Sequence, residues 1–360
     1  MSNPSAAATE RRSGSSPAAP PTTTVGVIVP CYNYARYLGN AVRSILDQEG
    51  VSVSVLVIDD SSTDDTPAVA EALAESDPRV EVIRHPANRG HIPTYNEGLE
   101  WASGDYVALL SADDVLAPGA LARAAAVLDA HPNVGLAYGR AVYFSDVVPQ
   151  PRAHPGRYHV WTGRGWLESR CRMGRIQLIS PEAVVRTEVQ HAVGGYRQEL
   201  PHSGDNEMWM RIAHHADIAF ISADQAFYRV HGANMSATRF GSPVTDAQHR
   251  KAAFDTALAE DPDLHRLAMR SLARDILWQA CRAFDTGESG HVPVDEMVRV
   301  ATGLLADGDQ PAELWAIRWR RLLGPSAARV VAIPLTPAFV PRRLRRLRLE
   351  YGREWMRNLR

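Results

Sequence analysis

From residue 25 to residue 130 the chain alternates short apolar runs with amphipathic segments, and this alternation limits the fold more than any other feature. Residues 25–29 (VGVIV), 53–58 (VSVLVI), 80–83 and 106–110 each read as a buried strand. Leu38, Val42, Ile45 and Leu46 fall at i, i+4, i+7 and i+8, which predicts a helix with one apolar face. Thr66 followed by Pro67 reads as an N-cap and first helical position, opening a helix through Ala74. Residues 95–101 and 118–130 complete the helices. Strand–helix alternation at this spacing predicts an α/β fold with parallel strands and right-handed crossovers.

After about Gly135 the alternation weakens. Residues 136–144 look like strand, 150–175 like loop with short helical pieces, and 176–186 extended. The chain turns on Gly194-Gly195, residues 206–214 read as helix, and 218–230 as one or two strands. From about Asp246 the pattern is helical only, with Leu264, Ala268, Leu272 and Ile276 at four-residue steps. Residues 296–305 and 311–323 continue it. The expected layout is a disordered tail over 1–23, an α/β domain over 24–243 and a helical region over 244–325. A Pro-containing linker and a basic amphipathic segment over 326–360 follow.

Ligands of parallel α/β sheets bind at the carboxyl ends of the strands. The first strand runs into Pro30-Cys31-Tyr32-Asn33, where Tyr32 can stack on a base or be an ordinary turn tyrosine. No Gly-x-Gly-x-x-Gly follows it, which weighs against a dinucleotide site. The second strand ends in Asp59-Asp60-Ser61-Ser62-Thr63-Asp64. One of these carboxylates can accept from a nucleobase N–H or a ribose hydroxyl; equally, the run can serve as helix caps. The fourth strand ends in Ser111-Ala112-Asp113-Asp114, a second acidic pair at a strand tip of the same sheet. Such oxygen-rich sites suit Mg²⁺ or Mn²⁺ held by one or two carboxylates plus substrate phosphates. Asp205 precedes the stripe Met208, Ile212, Ala213 and is either a helix cap or a general base. Arg229 and His231 follow a late strand and can meet a diphosphate or a metal.

The motifs VGVIVPCYN, VLVIDDSSTDDT, NRG…NEG, ASGDYVALLSADD, VGGY, GDNEMW and YRVHGANMS stand in this order over residues 24–236. As a set they resemble the inverting family 2 glycosyltransferases, whose GT-A fold binds nucleotide sugars. The resemblance implies that Tyr32 stacks on the base and Asp60 binds its imide, with Pro30 and Asp59 beside them. It places Asp113 and Asp114 at a divalent metal (Mn²⁺ or Mg²⁺), with Asp113 also at the diphosphate. It sets Arg89 and Asn96 near the nucleotide, His231 near the diphosphate, and Asp205 as the base that deprotonates the acceptor. Ser111 stands where many members have a first aspartate, and Gly204 replaces a frequent acidic residue before the base.

The implied reaction is a single displacement from a UDP- or dTDP-sugar to an acceptor hydroxyl. The acceptor class stays open among a sugar, a lipid-linked sugar, a surface polysaccharide and a small molecule. A sugar nucleotidyltransferase would carry a Gly-rich, basic first loop, which Pro30-Cys31-Tyr32 does not supply. A catalytically inactive nucleotide-sugar-binding protein is the other alternative. Composition removes further classes. Lys251 is the single lysine beside 38 arginines and is preceded by Arg250, so no Gly-Lys-Ser/Thr phosphate loop exists. The α/β part has no basic stripe for nucleic acid. Cys31, Cys171 and Cys281 lack the spacing of a disulfide framework or a zinc site, as expected in a reducing compartment.

The last nineteen residues, 342–360, hold eight arginines and two glutamates, +6 in a chain whose formal net charge is −2. Two readings stay open: a helix lying on an anionic membrane surface, or a solvated helix packed on its own domain. The expected location is cytoplasmic, at the inner face of the membrane under the first reading.

Overall fold

The computed structural model describes residues 23–176, 178–232, 242–286 and 292–331. The expected N-terminal tail (residue 23 apart), Ala233 to Ser236 of the last motif and the basic segment 342–360 lie outside the described residues.

Strands β1 (Thr24–Cys31), β2 (Ser52–Asp59), β3 (Val80–Arg84) and β4 (Tyr106–Leu109) pair in parallel, in the order β3-β2-β1-β4. Helices α1 (Ala35–Leu46), α2 (Thr66–Ser76) and α3 (His91–Trp101) make the crossovers. β1 shows why the sheet is covered on both sides. Val25, Val27 and Val29 pack with Leu38, Ala41, Val42 and Ile45 of α1, whereas Ile28 packs in a second core with Leu99 of α3. Each such aliphatic side chain contributes about 1.5–3 kcal/mol when fully buried.

The second half departs from the alternating plan. After β5 (Val115–Leu116) and α4 (Ala120–Ala130) come β6 (Val134–Phe144) and β7 (Ala153–Trp161). Helix α5 (Gly163–Met173), β8 (Ala183–Arg186), α6 (Thr187–Val193), α7 (Gly204–His215) and β9 (Asp217–Arg229) follow. β8 inserts antiparallel between β4 and β6, so the sheet is parallel on one side of it and mixed on the other. β9 is one long strand, parallel to β6 and antiparallel to β5 and β7.

Three expectations need correction. Residues 150–175 hold a helix, α5, as the helical pieces implied, but also a strand, β7, where loop was expected. β7 carries His154, Pro155, Gly156 and Arg157, so its sequence lacks strand alternation; pairing with β9 fixes it, as in Tyr158 opposite Ile221 and Trp161 opposite Ile218. α5 is rich in arginine, yet Trp166, Leu167 and Cys171 are buried on one face, and Thr162 caps it by accepting from Gly165 N. Thr66 is also not the N-cap of α2. Its hydroxyl is buried and accepts from Tyr34 N at 3.0 Å, so the helix begins at Thr66 itself. Residues 176–186 are only partly extended, because a 3₁₀ turn at Ser180–Glu182 precedes β8.

The helices α8 (Pro243–Ala257), α9 (Pro262–Thr286), α10 (Val294–Gly303) and α11 (Ala312–Val331) follow, the last running past residue 325. They share one apolar core with α5 and α7: Leu272, Ile276, Met297 and Ile317 cluster with Trp166, Cys171 and Met208. Gly174 ends α5 at φ 66°, and a Cβ there would lie 2.7 Å from Leu272 N, so only glycine lets α5 and α9 approach this closely.

Candidate active site

The carboxyl ends of β1, β2 and β4 open on a cleft of about 410 Å³. Of the ten residues expected at the site, six line it: Pro30, Tyr32, Asp60, Asp113, Asp114 and Asp205. Asp59, Arg89, Asn96 and His231 stand outside its lining, and each has an observable structural task.

The acidic run after β2 laces two loops together. Ser62 Oγ accepts from Asn33 N at 2.8 Å, Asn33 Oδ1 accepts from Thr63 N at 2.8 Å, and Asp64 Oδ2 accepts from Ala35 N at 3.2 Å. Asn33 and Ser61 both take positive φ, 59° and 64°, which is uncommon without glycine and is maintained by this lacing. Asp59 is fully buried; it accepts from Ser62 N at 3.0 Å and has Arg84 Nε at 3.4 Å, so it holds the turn rather than facing the cleft.

Asp60, beside it, is oriented from several sides. Its Oδ1 accepts from Arg89 N at 2.8 Å and its Oδ2 from Gly90 N at 2.9 Å. His85 Nδ1 lies 2.7 Å from Oδ1, while its Nε2 is 2.9 Å from Glu97 Oε2. Arg89 therefore acts on Asp60 through its backbone; its guanidinium pairs with Glu97 at 2.9 Å. Gly90 stands at φ 84° and ψ 165°, a conformation that admits glycine and strains other residues. Asn96 likewise works on the backbone, donating to Tyr196 O at 2.9 Å and accepting from Tyr196 N at 2.6 Å.

At the tip of β4, Ser111 donates to Asp113 Oδ1 at 2.6 Å, so the serine in the Ser-x-Asp-Asp sequence braces the first carboxylate. His231 Nε2 lies 2.9 Å from Asp113 Oδ2, its ring set against Tyr34 and Tyr37. Arg229 is buried, donates from Nε to Asp113 O at 2.9 Å and from its backbone N to Asp114 Oδ1 at 2.9 Å. It is a brace under the turn. Burial, together with the neighbouring Asp113 charge, pushes the Asp114 carboxyl well above the usual range; Arg229 opposes this. Asp114 Oδ2 is buried without a hydrogen-bond partner. An orphaned carboxylate oxygen beside a second carboxylate fits a divalent cation. Among the described residues no group of three or more His, Cys, Asp or Glu could hold a metal. Asp113 and Asp114 would thus share the ion with substrate phosphate and water.

Asp205 sits in the first turn of α7, whose N-cap position is taken by Ser203. It accepts from Ser180 Oγ at 3.0 Å, within the 3₁₀ turn before β8. Burial raises its carboxyl above the ordinary range, and the hydroxyls of Tyr196 and Ser180 only partly offset this. Burial also raises the cysteine thiols, Cys171 and Cys281 to about 12, and all three cysteines are free. They are therefore poor nucleophiles.

Sequence reasoning missed Tyr34, Tyr95, Ser180, Tyr196 and His202, which also line the cleft, and His85, which braces Asp60. The strand-end rule applied to β3 would have found His85, which directly follows Arg84, and Asn88 in the same loop. Ser180 carries no local signal, because its turn forms only between β4 and β6.

Residues 26–187 match the model of "Glycosyl transferase family 2". The succinoglycan biosynthesis protein ExoO of Rhizobium meliloti is 41% identical over 107 residues, 30% of this chain and 30% of that protein, so this alignment spans less than a third of the relative. Among solved structures, S. aureus TarS 1–349 in complex with UDP-GlcNAc superposes with a TM-score of 0.58 at 20% identity, covering 87% of this chain and 89% of that one. The mannosyltransferase PcManGT of Pyrobaculum calidifontis in complex with GDP-Man and Mn²⁺ gives 0.51 at 22% identity, covering 87% and 85%. At these identities the two structures speak for the fold. The sheet order, the acidic strand tips and the matched stretch agree: residues 26–187 match family 2 of the glycosyltransferases, and the chain has a GT-A-like fold.

Proposed function

We propose that the chain transfers a sugar from a UDP- or dTDP-sugar to an acceptor hydroxyl by a single displacement with inversion. The observation that carries this reading is one cleft lined by Tyr32, Asp60, Asp113, Asp114 and Asp205 together. Tyr32 is 46% exposed, so its ring is available for stacking on a base. Asp60 is locked by backbone N–H groups yet retains lone-pair capacity for the N–H of a pyrimidine imide. Asp205, with its raised proton affinity, takes the proton of the attacking hydroxyl. Asp113 and Asp114 would hold a Mn²⁺ or Mg²⁺ ion, which when bound neutralises the leaving diphosphate. The structural relatives bound to UDP-GlcNAc, and to GDP-Man with Mn²⁺, support a nucleotide-sugar donor and divalent-metal use. The test is thermal stabilisation by UDP-, dTDP- and GDP-sugars with Mn²⁺, combined with Asp205→Asn. The variant should keep nucleotide binding and lose about a hundred- to ten-thousand-fold in transfer rate. Transfer at nearly the parent rate would remove Asp205 from the mechanism.

We also propose peripheral contact with an anionic membrane. Trp315, Trp319 and Leu322 are exposed at i, i+4 and i+7 on α11, and the +6 segment follows in the sequence. Tryptophan favours the headgroup level, and arginine clusters are drawn to anionic lipid. No helix among the described residues is long and apolar enough to cross a membrane. Co-sedimentation with phosphatidylserine vesicles but not phosphatidylcholine vesicles, weakened by Trp319→Glu, is the expected result. Recovery in the supernatant with both would defeat the proposal.

A further inference from the structure

A second chamber, of about 240 Å³, adjoins the cleft and shares Ile179, His202 and Asp205 with it. We propose that this chamber holds the acceptor, and that its occupant is an uncharged sugar residue; the inference rests on Asp205 being the base.

In a single displacement the attacking hydroxyl approaches opposite the leaving group. It needs its own space, open to the base but separate from the nucleotide. The second chamber meets this requirement, because Asp205 borders both spaces. Its far wall is built by α8, through Asp246, His249 and Arg250, beyond the residues matched by the family model. This wall belongs to the helical region that follows the matched stretch.

The wall also indicates the chemistry of the occupant. Arg250 is only 5% exposed, and its Nη1 donates to Gly174 O at 2.8 Å and Asp275 Oδ2 at 3.1 Å. Its Nε and Nη2 are buried without a hydrogen-bond partner. Nη2 does lie 2.7 Å from Asp246 Oδ2, as an ion pair outside hydrogen-bond geometry. Nη2 is thus met by a carboxylate oxygen, and Nε is the donor that calls for an oxygen acceptor. The cationic charge, however, is already met. Arg175 and Arg250 both pair with Asp275, Arg250 pairs also with Asp246, and Asp205 adds a further carboxylate to the lining. A phosphate or carboxylate would find no surplus positive charge. A sugar ring suits the site: its hydroxyl oxygens accept from Arg250 and its hydroxyl protons go to Asp246 and Asp205.

The test uses the full chain and the nucleotide sugar that stabilises it best. Nucleotide release is measured with neutral methyl glycopyranosides and with glycerol 3-phosphate, for the parent, Arg250→Gln and Asp246→Asn, each checked by thermal melting. Asp246 is 41% exposed in its side chain, which keeps one variant informative if Arg250→Gln fails to fold. A methyl glycopyranoside should accelerate release, and each folded variant should raise its KM about tenfold while nucleotide affinity changes less than about twofold. Acceleration by glycerol 3-phosphate alone would overturn the assigned class. An unchanged acceptor KM in the folded variants would overturn the location. A parent chain that binds no nucleotide sugar would overturn the donor reading instead, and with it this one.

Discussion

The strand tips after β2 and β4 both end in paired aspartates, but the second member of each pair, Asp60 and Asp114, is treated in opposite ways. Asp60 receives two backbone N–H groups and an imidazole nitrogen. Asp114 receives one backbone N–H on one oxygen and nothing on the other. A carboxylate with its donors already in place is a fixed reference point against which a ligand can be read. A buried carboxylate with an orphaned oxygen raises the local cost of negative charge until a cation arrives. Identical residue types at equivalent places in the sheet are thus set to different tasks by the loops around them.

The same substitution at the two tips should separate these tasks. Asp114→Asn is expected to lower transfer by about a hundred- to a thousand-fold, in steady-state assays with Mn²⁺, because charge at the diphosphate is lost. Without metal it should melt no lower than the parent, since a buried charge is removed. Asp60→Asn should do the reverse for stability. Its amide would turn an N–H toward the N–H of Gly90 or Arg89, at a cost of about 1–3 kcal/mol in chemical denaturation. Equal loss of stability at both tips would remove the distinction.

A subtler change tests the fixed tip alone. A Cβ on Gly90 would touch nothing within 4 Å, so Gly90→Ala acts only through the strained φ of 84°. It should cost about 1–3 kcal/mol and weaken nucleotide binding measured by calorimetry, leaving the metal tip as it was.

The smallest effect concerns the third carboxylate. Because burial raises Asp205, the acid limb of the pH–kcat/KM profile should lie above the usual carboxylate value of about 4. Activity is then lost as pH falls through that raised value. Stability has the opposite dependence: the folded state favours the protonated acid, so this contribution is present below the unfolded pKa and is lost as pH rises through the folded one. Asp205→Asn should therefore melt no lower than the parent at neutral pH. A limb at the ordinary carboxylate value would mean that Asp205 is solvated during turnover.

The first four strands and both acidic tips were legible in the sequence because their signals are local. Apolar runs of four to six residues and strand-end carboxylates need no distant partner to be recognised. β7 and Ser180 were not, for the complementary reason. β7 is fixed by its pairing with β9 on either side of the His-Pro-Gly-Arg run, at Ala153 and Tyr158–Trp161, and Ser180 reaches Asp205 only because β8 inserts between β4 and β6. The roles of Arg89 and Asn96 were hidden differently: Arg89 acts through its own backbone N–H and Asn96 on the backbone of Tyr196, which a side-chain reading does not weigh.

The close seating of Gly174 on the backbone of α9 has an engineering consequence. The C-terminal helices are not a cassette. Replacing them with those of a relative would require a matching groove at one glycine and a matching apolar seam along α5 and α7. Changing what the chain glycosylates is therefore better attempted by point substitutions on α8 than by exchanging the region whole.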